Sequence, residues 1–203
     1  AVDRDRPPAG VRGPHRRCGG RCVRTPLPRY FDDTGAGLGT RALVIDYTTS
    51  ESVIPYAARG GSLTGLSERL AEAMASFHSI PIDRLPAVLA RPASWEEYIG
   101  RRIDEWRRSA MSHVEDLPIL RYIAAWLDAN RPEAVPLGLV HGDCSTANML
   151  LTADGHIELI DWELAVIGDP REDIGYHKAN GMAIAPDLLD GEGAEAFCRR
   201  YRE

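Results

Sequence analysis

The stretch HGDCSTANMLLTADGHIELIDWELAVIGDPREDIG, residues 141–175, decides how the chain is read. Three oxygen-bearing side chains stand in it in a fixed order: Asp143, Asn148 five residues later, and Asp161 beyond a short patterned run. Within that run, LTADGHIELI places Asp154-Gly155 between two short apolar segments, so a β-hairpin is predicted. If its loop holds two residues, Asn148 falls directly opposite Asp161 and two oxygen ligands converge at the open end. Magnesium takes oxygen ligands in octahedral geometry and draws only a few of them from protein, phosphates and water supplying the rest. A carboxylate and an amide oxygen suit that demand. Asp143 has the position and chemistry to accept a proton from a hydroxyl as it attacks phosphorus. A base Asp, a metal-binding Asn five residues on and a second metal-binding Asp after a hairpin form the order that phosphoryl transfer uses.

HGDCSTAN, LIDWE and GDPREDIG together resemble the aminoglycoside phosphotransferase and choline kinase-like family of small-molecule kinases, which share the protein-kinase fold. Protein kinases show His-Arg-Asp and Asp-Phe-Gly where this family shows His-Gly-Asp and Ile-Asp-Trp-Glu, and the chain carries the latter pair. HGD alone is a weak signal, whereas three spaced elements in agreement are a strong one. The resemblance implies an α+β, protein-kinase-like fold, mainly the helical C-terminal lobe with a remnant of the N-terminal sheet lobe. It implies ATP and Mg2+ as cofactors and a hydroxyl of a small molecule as acceptor. On it, Asp143 is the catalytic base, Asn148 and Asp161 hold magnesium, and His141 supports the catalytic loop. Asp173 corresponds to a buried Asp that hydrogen-bonds that loop, a structural support.

Upstream, RALVIDY at 41–47 reads as a buried strand leading into a hinge, where backbone groups near Asp46 and Tyr47 would contact adenine. Residues 64–80 space Leu66, Leu70, Ala73, Met74 and Phe77 along one helical face. Two further helices are predicted. The first carries Trp95, Tyr98, Ile99, Ile103 and Trp106 on one side, opened by a Ser94/Glu97 capping box. The second offers Leu117, Ile119, Leu120, Ile123, Ala124 and Leu127, with Asp116 as its cap. Residues 135–142 form a short strand that delivers Asp143. After the metal motif, Asp169 is placed to cap a helix with Pro170 at its first position, and a last helix starts near Gly193. His78, His113, His156 and His177 read as packing or surface histidines.

The organisation predicted is a disordered Arg/Pro/Gly-rich arm at 1–25, a remnant of the N-lobe and hinge at 26–60, and a kinase-like C-lobe at 61–203. The arm is basic but carries no interleaved aromatics, and the whole chain has a net charge of −6, so no nucleic-acid partner is expected. Cys18 and Cys22 read as incidental thiols of the arm, and Cys144 as a small loop residue. No run approaches the ~20 apolar residues needed to span a bilayer, so a cytoplasmic protein without a membrane partner is expected. One feature departs from the family pattern. The only lysine is Lys178, after the metal motif, so no lysine stands on an early strand to pair with nucleotide phosphates. GAGLG at 35–39 reads as a flexible loop. Both ends look truncated relative to a full kinase, which leaves open a non-catalytic, kinase-like binding module. A metal-dependent phosphoesterase using His141, Asp143 and Asp161 would need further metal ligands.

Overall fold

The computed structural model describes residues 23–62, 64–112, 119–181 and 191–203. The chain order is β1 (Pro28–Asp32), β2 (Ala42–Ile45), β3 (Glu51–Ser52), α1 (Val53–Ala58), α2 (Leu66–His78), α3 (Trp95–Ser112), α4 (Ile119–Ala129), β4 (Gly138–Val140), β5 (Met149–Leu151), β6 (Ile157–Leu159), β7 (Val166–Gly168), α5 (Arg171–Gly181) and α6 (Gly191–Arg202). The strands form three small antiparallel sheets: β1 with β2, β3 with β5 and β6, and β4 with β7.

The core gathers around α2. Leu66, Leu70, Met74 and Phe77, spaced as the helix repeat requires, are all at most 3 % exposed. They pack with Met149, Ile157 and Leu159 of the β5–β6 hairpin, with Cys144, and with Phe197 of α6. The loop between β4 and β5, which carries Asp143, is therefore seated on this core through Cys144 and Met149.

The hairpin forms as predicted, but in a different register. Met149 pairs with Leu159 and Leu151 with Ile157, and the Ile160 N–H donates to the Asn148 carbonyl at 3.1 Å. Asn148 thus faces Ile160, and Asp161 falls one residue beyond the ladder. The cause is the loop. The Thr152 N–H donates to the His156 carbonyl, leaving Ala153, Asp154 and Gly155 in the turn, with Gly155 at φ +81°. A three-residue loop closed by a glycine in the left-handed region is the next commonest solution after the two-residue turn.

Several other expectations need correction. β2 exists but is not buried: Leu43, Val44 and Ile45 are 59 %, 46 % and 45 % exposed. An apolar run signals a strand but does not say whether a second layer covers it. In α3, Trp95, Tyr98 and Ile103 are buried while Trp106 is largely exposed. The capping box is present: Ser94 Oγ accepts the Glu97 N–H at 3.2 Å, while Glu97 reaches back to the Ala93 N–H at 2.6 Å. Only Ala124 of α4 is buried, and Ile119 is exposed. Asp116, Leu117, His113 and the Cys18/Cys22 pair lie outside the described residues, as does most of the 1–25 arm. Its described end is packed, however. Val23 lies against the core, and Arg24 accepts the Leu159 N–H at its carbonyl and pairs with Asp154 at 3.0 Å. Among the described residues, no helix is long and apolar enough to cross a membrane.

Candidate active site

β4 ends at Val140 and the chain turns at Gly142, which takes φ +83°. A Cβ there would lie 2.5 Å from the Leu164 carbonyl oxygen, so the glycine lets the catalytic loop pass against the segment that follows Asp161. His141 is fully buried and bridges the two segments. Its Nε2 faces the Ile160 carbonyl at 2.9 Å and its Nδ1 faces the Asp143 N–H at 3.3 Å. A carbonyl can only accept and an amide can only donate, so the ring is neutral with its proton on Nε2. Trp162 closes over it, with ring centroids 4.4 Å apart, and meets Phe77 of α2 edge-on.

Asp143 and Asn148 are in direct contact. The Asn148 amide nitrogen donates to Asp143 Oδ2 at 2.9 Å and to the Asp143 carbonyl at 3.0 Å. A short helical turn, Thr146–Asn148, brings the two together. Because the side-chain amide nitrogen is committed to Asp143 and the backbone carbonyl to the Ile160 N–H, the side-chain oxygen is the remaining acceptor of Asn148. Asp161 takes up a left-handed conformation (φ 66°, ψ 59°), alone among the described non-glycine residues, and stands immediately before the turn Trp162–Leu164 without a side-chain bond to it. Its side chain is exposed at the end of the hairpin where Asn148 begins it. Backbone strain of this kind collects at functional sites.

Asp173, on α5, is fully buried beneath the loop. Its Oδ2 accepts the His141 N–H at 2.8 Å and its Oδ1 the Gly142 N–H at 3.0 Å. His78 at the end of α2 adds its Nε2 to Asp173 Oδ2 at 3.0 Å and its Nδ1 to the Tyr201 hydroxyl at 2.7 Å. Burial, with the Asp173 and Asp169 charges adding to it, pushes the Tyr201 phenol up to about 12. α5 starts where the sequence indicates: the Asp169 carboxylate accepts the Arg171 N–H at 2.9 Å, and it also takes the Trp95 indole N–H at 2.7 Å.

Three residues escape the sequence reading. His177 is 1 % exposed, with Nδ1 3.1 Å from the Cys144 carbonyl, and burial pushes its pKa below the ordinary histidine value. The Tyr176 phenol is pushed up, chiefly by a hydrogen bond to the Asp143 carboxylate. His78 is a packing histidine whose partner, Asp173, the sequence does not name. Helix spacing carries the signal for the first two: both sit within one turn of Asp173 on the same face. Burial likewise pushes the Cys144 thiol well above its usual value, with Asp173 and Asp143 adding to it, so this cysteine is no nucleophile.

The proposed hinge makes its own set of contacts. The Asp46 carboxylate holds the Arg29 guanidinium at 2.5 and 2.7 Å, and the Asp46 N–H donates to the Leu27 carbonyl at 2.8 Å. Tyr47 is 93 % exposed. The hinge is tethered to the hairpin by Glu158, whose Oε2 accepts from the Thr48 and Ser50 hydroxyls at 2.6 and 3.0 Å. Lys178 lies on α5 and on no strand.

A family model described as "Phosphotransferase enzyme family" matches residues 15–203. Among solved structures, a Ralstonia eutropha chain assigned as an aminoglycoside phosphotransferase superposes with a TM-score of 0.72 at 19 % identity, covering 91 % of this chain and 62 % of that one. A choline/ethanolamine kinase family protein from Mesorhizobium loti gives a TM-score of 0.61 at 19 % identity, covering 88 % of this chain and 54 % of the other. These likenesses show the fold, an α+β architecture of the protein-kinase-like phosphotransferases. Among curated proteins, the "Acyl-CoA dehydrogenase family member 10" of Mus musculus is 25 % identical over 162 residues, 74 % of this chain and 15 % of that protein. The chain thus spans a small part of that relative and under two thirds of the structures it resembles.

Proposed function

The chain belongs to the phosphotransferase enzyme family, and on that premise we propose that it transfers the terminal phosphoryl group of ATP to a hydroxyl of a small molecule with magnesium. The observation that carries this reading is the Asp143–Asn148 contact at 2.9 Å. In this reading Asp143 Oδ1, which the amide does not engage, would meet the acceptor hydroxyl, and the Asn148 side-chain oxygen would face the metal.

The donors fit the ion. The Asn148 amide oxygen and the Asp161 carboxylate are both hard oxygen ligands, and two protein ligands suit a cation that takes the remainder from phosphates and water. When bound, magnesium would neutralise charge on the phosphates. Asp143 would take the proton from the acceptor hydroxyl, and His141 and Asp173 would hold the backbone that presents it. Such a site works mostly by positioning and by charge placed in advance.

The competing reading, a non-catalytic kinase-like binding module, rests on the absence of lysine from every described strand. Calorimetric titration of ATP into the purified chain, with and without magnesium, separates the two. The catalytic reading expects binding that depends on magnesium and that weakens at least tenfold in Asp161→Asn. Absence of binding in both conditions overturns it in favour of the module.

A further inference from the structure

α5 presents Asp173, Tyr176 and His177 at positions i, i+3 and i+4, which share one face of a helix. Two of these side chains meet the loop on either side of Asp143. Asp173 takes the N–H groups of His141 and Gly142 at 2.8 and 3.0 Å, before the base, and His177 reaches the Cys144 carbonyl at 3.1 Å, after it.

The chemistry of His177 sets it apart from a packing residue. A carbonyl accepts only, so the proton is on Nδ1 and Nε2 carries a bare lone pair in the neutral ring. Nε2 is buried and, among the described residues, has no hydrogen-bond partner. A leucine or phenylalanine would fill the same space without stranding a polar atom. A buried, unsatisfied nitrogen calls for an explanation, and here the other nitrogen of the ring supplies it.

We infer that His177 is a positioning residue: its Nδ1–H···O=C bond to Cys144, with the Asp173 bonds one turn earlier, clamps the loop on both sides of Asp143 and fixes where the base points. The inference rests on the phosphotransferase reading for its catalytic consequence but not for its structural one. Asparagine can place an amide N–H where Nδ1 stands; leucine cannot.

The experiment compares His177→Leu and His177→Asn on the full chain by two readouts. One is magnesium-ATP turnover with water as acceptor. The other is amide hydrogen exchange over residues 141–148. A loop misplaced by a fraction of an ångström loses rate steeply, so His177→Leu should lower kcat about 10- to 100-fold with KM for ATP within about twofold. His177→Asn should recover most of that loss, and exchange in the loop should speed up in the leucine variant alone. Equal losses in both variants, tracking their melting temperatures, would overturn the clamp and leave His177 a packing residue. If the wild-type chain hydrolyses no ATP, the exchange comparison decides the clamp by itself, while the ATP titration decides the catalytic reading.

Discussion

The loop between β4 and β5 and the β1–β2 hairpin invert the usual placement of polar and apolar groups, each in its own way. Around the loop that carries Asp143, polar groups are buried: His141, Asp173 and His177 are each at most 1 % exposed, and Asp173 alone gathers partners from the loop and from α2. In the β1–β2 hairpin, apolar groups are exposed, with Tyr30, Phe31, Leu43, Val44 and Ile45 between 45 % and 59 % accessible. A buried polar group must have its partners, so it dictates geometry to everything it touches. An exposed apolar group dictates little. The difference marks where this chain spends its specificity.

The sharpest way to break the comparison is at its chemical end. Asp143→Asn keeps the size and removes the base, and should lower phosphoryl transfer by about 10²- to 10⁴-fold, the usual contribution of a general base. Initial rates of ADP production at saturating magnesium-ATP measure it. Unchanged turnover would show that the polar cluster serves architecture and that the chemistry lies elsewhere.

Next in size is Asp173→Ala. It leaves the N–H groups of His141 and Gly142 and the His78 ring without their acceptor inside the core. Stranding buried donors of this kind should cost about 2–5 kcal/mol, read as a fall in the urea midpoint at unchanged slope. A loss below ~1 kcal/mol would show that water can replace the carboxylate, and the cluster would then be far less rigid than its burial implies.

How much of this was legible in the sequence follows the same divide. Asp143, Asn148 and Asp161 stand out because phosphoryl transfer demands those residue types in that order, and α2 stands out because Leu66, Leu70, Met74 and Phe77 repeat at the helix period. Asp169 and the Ser94/Glu97 box were readable because capping is local. The hairpin register was not, since Asp154-Gly155 fits both a two-residue turn and a three-residue loop closed by Gly155. Nor was exposure of β2: burial depends on what lies across the sheet, and nothing in RALVIDY encodes its neighbour. His78 and His177 read as packing or surface histidines, and their partners stayed hidden because a lone histidine carries no signal until the group it meets from a distant segment is known.

A smaller effect tests the one polar group that the β1–β2 hairpin does bury. The Asp32 carboxylate accepts N–H groups from Gly37, Thr34 and Gly35 and the Thr34 hydroxyl. The Gly37 N–H first, then the Thr34 hydroxyl, lower it to about 2, below the usual carboxylate range. A carboxylate depressed on folding stabilises above its unfolded pKa of about 3.9 and loses that contribution as pH falls toward its folded value. Melting temperatures of wild type and Asp32→Asn should therefore differ at pH 6 and converge between about pH 4 and pH 2. A constant gap across that window would show that Asp32 acts through shape and not through charge.

The smallest expected effect is the most direct test of the exposed side. Val44→Thr on β2 exchanges a methyl for a hydroxyl at a position 46 % exposed, in a residue type that strands accept equally well. Surface changes of this kind stay within about 0.5 kcal/mol, whereas Met149→Ala, which empties a site 2 % exposed under the catalytic loop, should cost about 2–5 kcal/mol. Urea unfolding of both variants puts the two regions on one scale. If Val44→Thr instead cost more than ~1 kcal/mol, the hydroxyl would be losing water to a packed neighbour, and β2 would be a covered strand in solution. The contrast between the two regions would then reduce to a difference in kind of core, one polar and one apolar, rather than between a core and a surface.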